Sequence, residues 1–289
     1  MLARPGQRRT NPAAENEMMP LIWLRVALFC YAAGLLYALV ALTRTSEILS
    51  KVALHASYLG MVFHFVSLTE AVVQSGQLAS ASVHNAESLL AFLIMVVFMF
   101  AYLVYKTTTP GIVVFPLVFL LTFVAATGQQ PLVFTSDVVK KGWLAVHILM
   151  IFTGYAALFF SFSASILYLM QERALKSKSG TGAFSRLPAL QVIDDIGYRC
   201  LMVGFPFMTL GLIAGLGVAE ATYGRIDFLD PKILLSVLMW AVYLLMVFMR
   251  LNAGWRGRRA ALLASAAFAT AIVAWIANYF SAMHGFIAS

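Results

Sequence analysis

Long apolar runs separated by short polar joints dominate the chain. Eight such runs recur, at residues 21–42, 52–73, 89–105, 111–126, 144–170, 196–218, 233–249 and 260–282. A bilayer core takes about 20 apolar residues per helix. Each run is therefore read as a membrane-crossing helix, and the chain as an all-α integral membrane protein, an eight-transmembrane-helix bundle. The third and fourth runs are short, but together they span about two bilayer thicknesses, and the joint at 106–110 divides them. The runs are continuous rather than alternating, which excludes the strands of a membrane barrel. The first run is too long for a signal-peptide core and is followed by Thr43, Arg44 and Thr45, so it reads as a retained helix. Residues 1–19 form a loose polar tail in this reading. Residues 20–289 form the transmembrane domain, with an inner loop at 171–193 and an outer loop at 219–232. The inner loop reads as a hinge between a five-helix front part and a three-helix back part.

Composition narrows the class. The chain is 62% hydrophobic and only 11% charged, against about 25% charged in soluble domains. That excludes a soluble globular enzyme and a disordered chain. The net charge of +8 belongs to loops beside a lipid bilayer and not to a nucleic-acid patch, so no nucleic-acid partner is expected. With eight crossings both termini share a side. Their side holds seven Lys and Arg residues and the opposite side twelve, with Arg25 inside the first run left out. The richer side is cytoplasmic by the positive-inside rule, which puts both termini outside the cell membrane, expected to be a bacterial inner (plasma) membrane. Cys30 and Cys200 form no CxxC pair, so neither a disulfide framework nor a thiol site is expected.

The histidines are distributed unevenly across this topology. His84, His147 and His284 fall at the outer ends of the third, fifth and eighth runs, and His64 lies in the second run nearer its outer end. Only His55 lies near the inner face. A neutral imidazole is a common ligand of heme iron, and histidine is costly to leave unpaired in lipid. An interfacial histidine is also commonly a wetted helix end. His55 and His64 are nine positions apart, half a turn out of phase, so one helix face cannot present both. His64, deeper and far from charge, is the one expected to face inward.

The outer loop Glu220-Ala221-Thr222-Tyr223-Gly224-Arg225-Ile226-Asp227-Phe228-Leu229-Asp230-Pro231-Lys232 combines acids, aromatics and an Asp-Pro step. Asp230 is placed to cap the seventh helix, with Pro231 in its first turn. The stretch also suits a lid over a flat aromatic ligand. Gly211, Gly215 and Gly217 would let the sixth helix approach a neighbour closely. Glu87 suits the positive N-terminal end of the third helix. Asp195 and Arg199, four apart, are expected to pair.

Several segments together resemble the cytochrome c assembly family, the membrane heme-handling group that includes CcsA, CcmC and HemX proteins. Trp143-Leu144-Ala145-Val146-His147, followed by Gly154-Tyr155-Ala156-Ala157-Leu158 and Ser165-Ile166-Leu167-Tyr168-Leu169, is similar to the family's helix that opens on an outer heme-ligand histidine. Asn278-Tyr279-Phe280 followed by His284 resembles its second outer histidine. His84-Asn85-Ala86-Glu87-Ser88-Leu89 resembles its entry to helix 3. Gly204-Phe205-Pro206 with Thr209, Gly211 and Gly215 resembles the helix before its signature loop. Gly254-Trp255-Arg256-Gly257-Arg258-Arg259-Ala260 resembles the HemX branch. His64 matches a membrane-embedded histidine of the second helix. The likeness covers most of 60–289. It departs in the signature loop: Tyr223, Gly224, Asp227, Leu229, Asp230 and Pro231 stand where the family has a tryptophan-rich W-G-x-x-W-x-W-D-P.

The resemblance implies a membrane heme-handling protein of cytochrome c biogenesis with no independent catalysis. Heme b, bound non-covalently, would have its iron held by His147 and His284. Tyr223, Phe228 and Asp230 would close over the ring, and His64 would hold heme within the bundle. Lys140, Lys141 or Arg225 would pair with the propionates. Apocytochrome c and a second cytochrome c assembly membrane protein are the implied partners. Three alternatives stay open: a HemX-like regulator of heme biosynthesis docked through basic inner loops, a small-solute transporter using the histidines as a proton relay, and a structural subunit of a respiratory assembly.

Overall fold

The computed structural model describes residues 12–44, 46–75, 83–128, 138–177, 188–223 and 228–277. Among them eight helices follow one another: α1 (Pro12–Arg44), α2 (Glu47–Ser75), α3 (Val83–Tyr105), α4 (Gly111–Thr127), α5 (Val138–Lys176), α6 (Leu190–Tyr223), α7 (Pro231–Leu251) and α8 (Arg258–Ala277). Six are long and apolar enough to cross a membrane, and α4 is a shorter apolar helix. An apolar run measures the depth of the hydrocarbon, not the length of the helix. Each helix is free to continue past it on polar residues, because backbone hydrogen bonding carries on into water. Thus α5 runs for 39 residues, and α1 begins at Pro12, inside the segment read as a loose tail.

The joint between α3 and α4 is a tight turn. Lys106 takes a left-handed conformation (φ 52°) and its N–H donates to the Tyr102 carbonyl at 2.8 Å, the usual way a helix end satisfies an orphan carbonyl. Thr107 and Thr109 bond to each other, and Gly111 N–H donates to the Thr108 carbonyl. Two helices form here, not one.

The bundle has two apolar cores that share α5 and α6. The first gathers Tyr31, Ile94, Met95, Phe98, Val114, Phe160, Leu167 and Ile196 from α1 and α3–α6, closed by Ala53 and Leu54 of α2. The second gathers Leu158, Met208, Met239, Tyr243 and Met246 from α5–α7, closed by Ala264 and Ala267 of α8. Helix α5 runs on to Lys176 and α6 begins at Leu190, so both helices enter the span 171–193 expected to be a loop, and residues 178–187 between them lie outside the described residues. These two helices form the most extensive helix pair of the bundle. Lipid supplies no hydrophobic drive between helices, so close approach must come from small residues. A Cβ on Gly154 would stand 3.0 Å from Met208, and one on Gly204 would stand 2.7 Å from Ala157.

At the end of the bundle where α6 begins, three elements meet in one ion pair. Asp194 (α6) accepts from both terminal nitrogens of Arg250 (α7), at 2.9 and 2.7 Å, and from Gly257 N–H at 3.1 Å. Gly257 is left-handed (φ 62°), and a Cβ there would stand 2.6 Å from the Tyr168 hydroxyl. Both constraints require glycine at this entry to α8.

Candidate functional site

Near the N-terminal end of α5, the α5–α6 seam holds two aromatic rings on α6 carbonyls. His147, half-buried, bonds through Nδ1 to the Gly211 carbonyl at 2.7 Å. A carbonyl only accepts, so Nδ1 carries the proton, and in the neutral ring the lone pair is on Nε2. One turn earlier, Trp143 Nε1–H donates to the Ala214 carbonyl at 2.9 Å. The glycines expected to allow close approach make room for these rings. A Cβ on Gly215 would stand 2.6 Å from His147 Cε1, and one on Gly217 would stand 2.6 Å from Trp143 Nε1. An imidazole oriented by a carbonyl on its far nitrogen is the usual arrangement of a metal-ligating histidine.

The second histidine site lies inside the bundle. His64 is fully buried, whereas His55 is exposed and donates from Nδ1 to the Lys51 carbonyl at 2.6 Å. The two thus face opposite ways, as their half-turn offset requires. His64 Nδ1 lies 3.3 Å from the Tyr31 hydroxyl, and Nε2 lies 2.9 Å from Ser88 Oγ. Phe92 packs edge-on against the ring, with centroids 5.7 Å apart. Gly60, one turn before His64, has no Cβ to obstruct the Tyr31 ring, which a Cβ would meet at 2.8 Å. Both ring nitrogens are thus engaged within the protein. At the N-terminal end of α3, His84 Nδ1 and the buried Glu87 carboxylate stand 3.7 Å apart.

The remaining expected site residues are placed less completely. Asp230 is buried and Phe228 is 63% exposed. The Asp230 carbonyl accepts from Leu234 N–H at 3.0 Å, so this residue does start α7. Tyr223 is the last residue of α6. Its side chain, the side chains of Lys140 and Lys141, and the whole of Arg225 and His284 lie outside the described residues. Asp195 and Arg199 pair at 2.9 Å, with the Tyr105 hydroxyl donating to the same carboxylate at 2.8 Å. Sequence reasoning missed Tyr31 and Ser88 as partners of His64. Ser88 had a local signal, because it follows Glu87 inside the quoted motif. Tyr31 had none.

The bundle and its seated imidazoles define a multi-pass helical membrane protein with histidines on both the α5–α6 seam and a buried helix face. Residues 55–287 match the family described as Cytochrome C assembly protein, and the chain belongs to that family. It is similar to the cytochrome c biogenesis protein CcsA of Prochlorococcus marinus (strain MIT 9312), 31% identical over 156 residues that cover 47% of this chain and 50% of that protein. It is also similar to the protein of the same name from Heterosigma akashiwo (strain NIES-293 / 8280G21-1), 29% identical over 230 residues, 66% of this chain and 70% of that one. The chain thus spans about half the length of the Prochlorococcus relatives it matches.

Proposed function

We propose that this protein handles heme in cytochrome c biogenesis, holding non-covalent heme b at the outer end of the α5–α6 seam through His147 and His284. The observation that carries the reading is the His147 Nδ1–H bond to the Gly211 carbonyl. It fixes the tautomer with the lone pair on Nε2, the nitrogen an iron ligand needs. Trp143, held one turn away, offers flat apolar surface for a porphyrin. It compensates in part for the tryptophans missing from the outer loop. Tyr223, at the end of α6, and Phe228 and Asp230, just before α7, would close over the ring, with Lys140, Lys141 or Arg225 on the propionates. Bound heme would supply the iron centre that an apocytochrome c receives. The protein's own residues bind, orient and shield it, and a second assembly membrane protein shares the transfer. The protein sits in the bacterial inner membrane with both termini outside in this reading.

His64 is the interior ligand of the same reading. Its imidazole is engaged at both nitrogens, so it reaches iron only when Ser88 or Tyr31 lets go. The resting arrangement therefore stores His64 in a paired state, which avoids an orphaned imidazole among apolar side chains.

The test is an absorption spectrum of the full chain purified in detergent with heme supplied. His147→Ala and His284→Ala are run beside it. A bis-histidine spectrum lost or shifted in both variants, and restored to His147→Gly by added imidazole, supports the reading. A wild-type protein that takes up no heme, or variants with unchanged spectra, overturns it.

A further inference from the structure

The inner end of the bundle carries a second feature, separate from the histidines. The last turns of α5 and the first turns of α8 enclose a recess of about 100 Å³, lined by Leu169, Glu172, Arg173, Lys176, Arg258 and Leu262. Three of the six are cations and one is a carboxylate. Glu172 is already bonded to Lys176 at 2.7 Å. Arg173 and Arg258 form no ion pair among the described residues, so the recess keeps an excess of positive charge. The adjoining sequence 178–187 adds Lys178 and Arg186 and no acid.

Helix electrostatics favours an anion against this excess. Arg258 and Arg259 are the first two residues of α8, where the partial positive charge of a helix N-terminus disfavours cations. On α5 the opposite holds, since Arg173 and Lys176 occupy its last turn, where cations belong. The arginines of α8 are therefore misplaced for their own helix and well placed for an anion set between the two helix ends. Depth in the bilayer points the same way. The apolar run of α5 ends at residue 170 and that of α8 begins at 260, so the recess lies at the boundary of the hydrocarbon, where phosphates of a bilayer reside. Its apolar members extend that way: Leu262 is 52% exposed on the face turned from the core, and Leu169 lies one turn inward from Arg173.

We propose that this recess binds the headgroup phosphate of an anionic phospholipid from the adjoining leaflet, with an acyl chain lying over Leu169 and Leu262. Arg173 and Arg258 grip the phosphate from two helices. Lys176, bonded to Glu172, closes one side. The lipid would offset the repulsion between Arg258 and the start of α8 and staple α8 to α5, a helix that both cores share. The proposal does not depend on heme binding.

The test uses the full chain in a neutral detergent, with bound lipids counted by native mass spectrometry and thermal unfolding followed in parallel. Phosphatidylglycerol, phosphatidylcholine and inorganic phosphate are added separately. The expected result is one retained phosphatidylglycerol with a raised unfolding temperature, and little retention of phosphatidylcholine. Occupancy falls about tenfold or more in Arg173→Gln/Arg258→Gln, two interfacial cations being lost, and stays near wild type in Arg173→Lys/Arg258→Lys. Arg256→Gln, outside the recess, retains the lipid. Equal retention of the two lipids, unchanged occupancy in the double Gln variant, or a stabilisation that inorganic phosphate alone reproduces would overturn the proposal. The last outcome would mark a soluble-anion site.

Discussion

Replacing Asp194 with alanine removes the centre of the junction between α6, α7 and the entry to α8. The carboxylate accepts two bonds from Arg250 and one from Gly257. It is 19% exposed and the guanidinium 8%. Arg250 is further held by the Trp255 carbonyl at 2.9 Å and the Asp194 carbonyl at 3.0 Å, and it lies 5.1 Å over the Tyr198 ring. Removing one partner of a buried pair costs about 3–5 kcal/mol, because the other charge is left uncompensated. Two carbonyls and a ring face remain to Arg250 here, and the carboxylate is partly wet, so about 3 kcal/mol is expected for Asp194→Ala. Arg250→Met should cost a similar amount, leaving the carboxylate to Gly257 N–H alone. The double variant should cost about 2 kcal/mol less than the sum of the two, since it strands no charge. The assay is reversible denaturation in mixed micelles, followed by circular dichroism for all four proteins. A loss below about 1 kcal/mol in Asp194→Ala, or strict additivity in the double variant, would refute the claim that this pair binds α6, α7 and the entry to α8 together.

Three further outcomes follow from particular contacts. Lys106→Gly should stabilise the protein by about 0.5–1 kcal/mol, since it relieves a left-handed φ on a residue with a Cβ; denaturant midpoints at equal slope would show it. Gly215→Leu should push the His147 ring off the Gly211 carbonyl and lower heme uptake about tenfold with helix content unchanged; normal uptake would show that the seam does not hold the ligand. His64→Leu should destabilise by about 1–3 kcal/mol, because the hydroxyls of Tyr31 and Ser88 lose a buried partner. Thermal unfolding beside the control His55→Leu, which removes only an exposed ring, separates that effect from general sensitivity.

The number and type of elements were legible because a bilayer imposes a length on apolar runs. Even the short pair at 89–105 and 111–126 resolved correctly into α3 and α4. Helix ends were less legible. Nothing in an apolar count reports that α5 extends beyond both ends of 144–170 to span Val138–Lys176. Contacts between residues four apart were visible, as with Asp195 and Arg199. The Asp194–Arg250 pair joins residues 56 apart, and Tyr31 meets His64 across 33. In both cases the sequence shows the chemical types but no periodicity links them; only the packing of α1 on α2, or of α6 on α7, brings them together. The inward orientation of His64 was legible because half-turn phasing allowed only one of two histidines to face the core.

The partner chosen for His147 bears on how the proposed iron site would be aimed. A histidine whose far N–H is bonded has its tautomer and ring orientation fixed. Here Nδ1–H meets the Gly211 carbonyl, and Gly215 leaves the space the ring occupies. On the heme-handling reading the ligand is therefore aimed before iron arrives. Because the orienting carbonyl belongs to α6, a displacement of α6 along α5 would rotate the imidazole. The same displacement would strain the Asp194–Arg250 junction at the other end of α6. The ligand's aim is therefore tied to the Asp194 end through one continuous helix, and weakening that junction by Asp194→Ala should broaden or shift the heme spectrum even though Asp194 lies at the other end of α6 from the His147 seat.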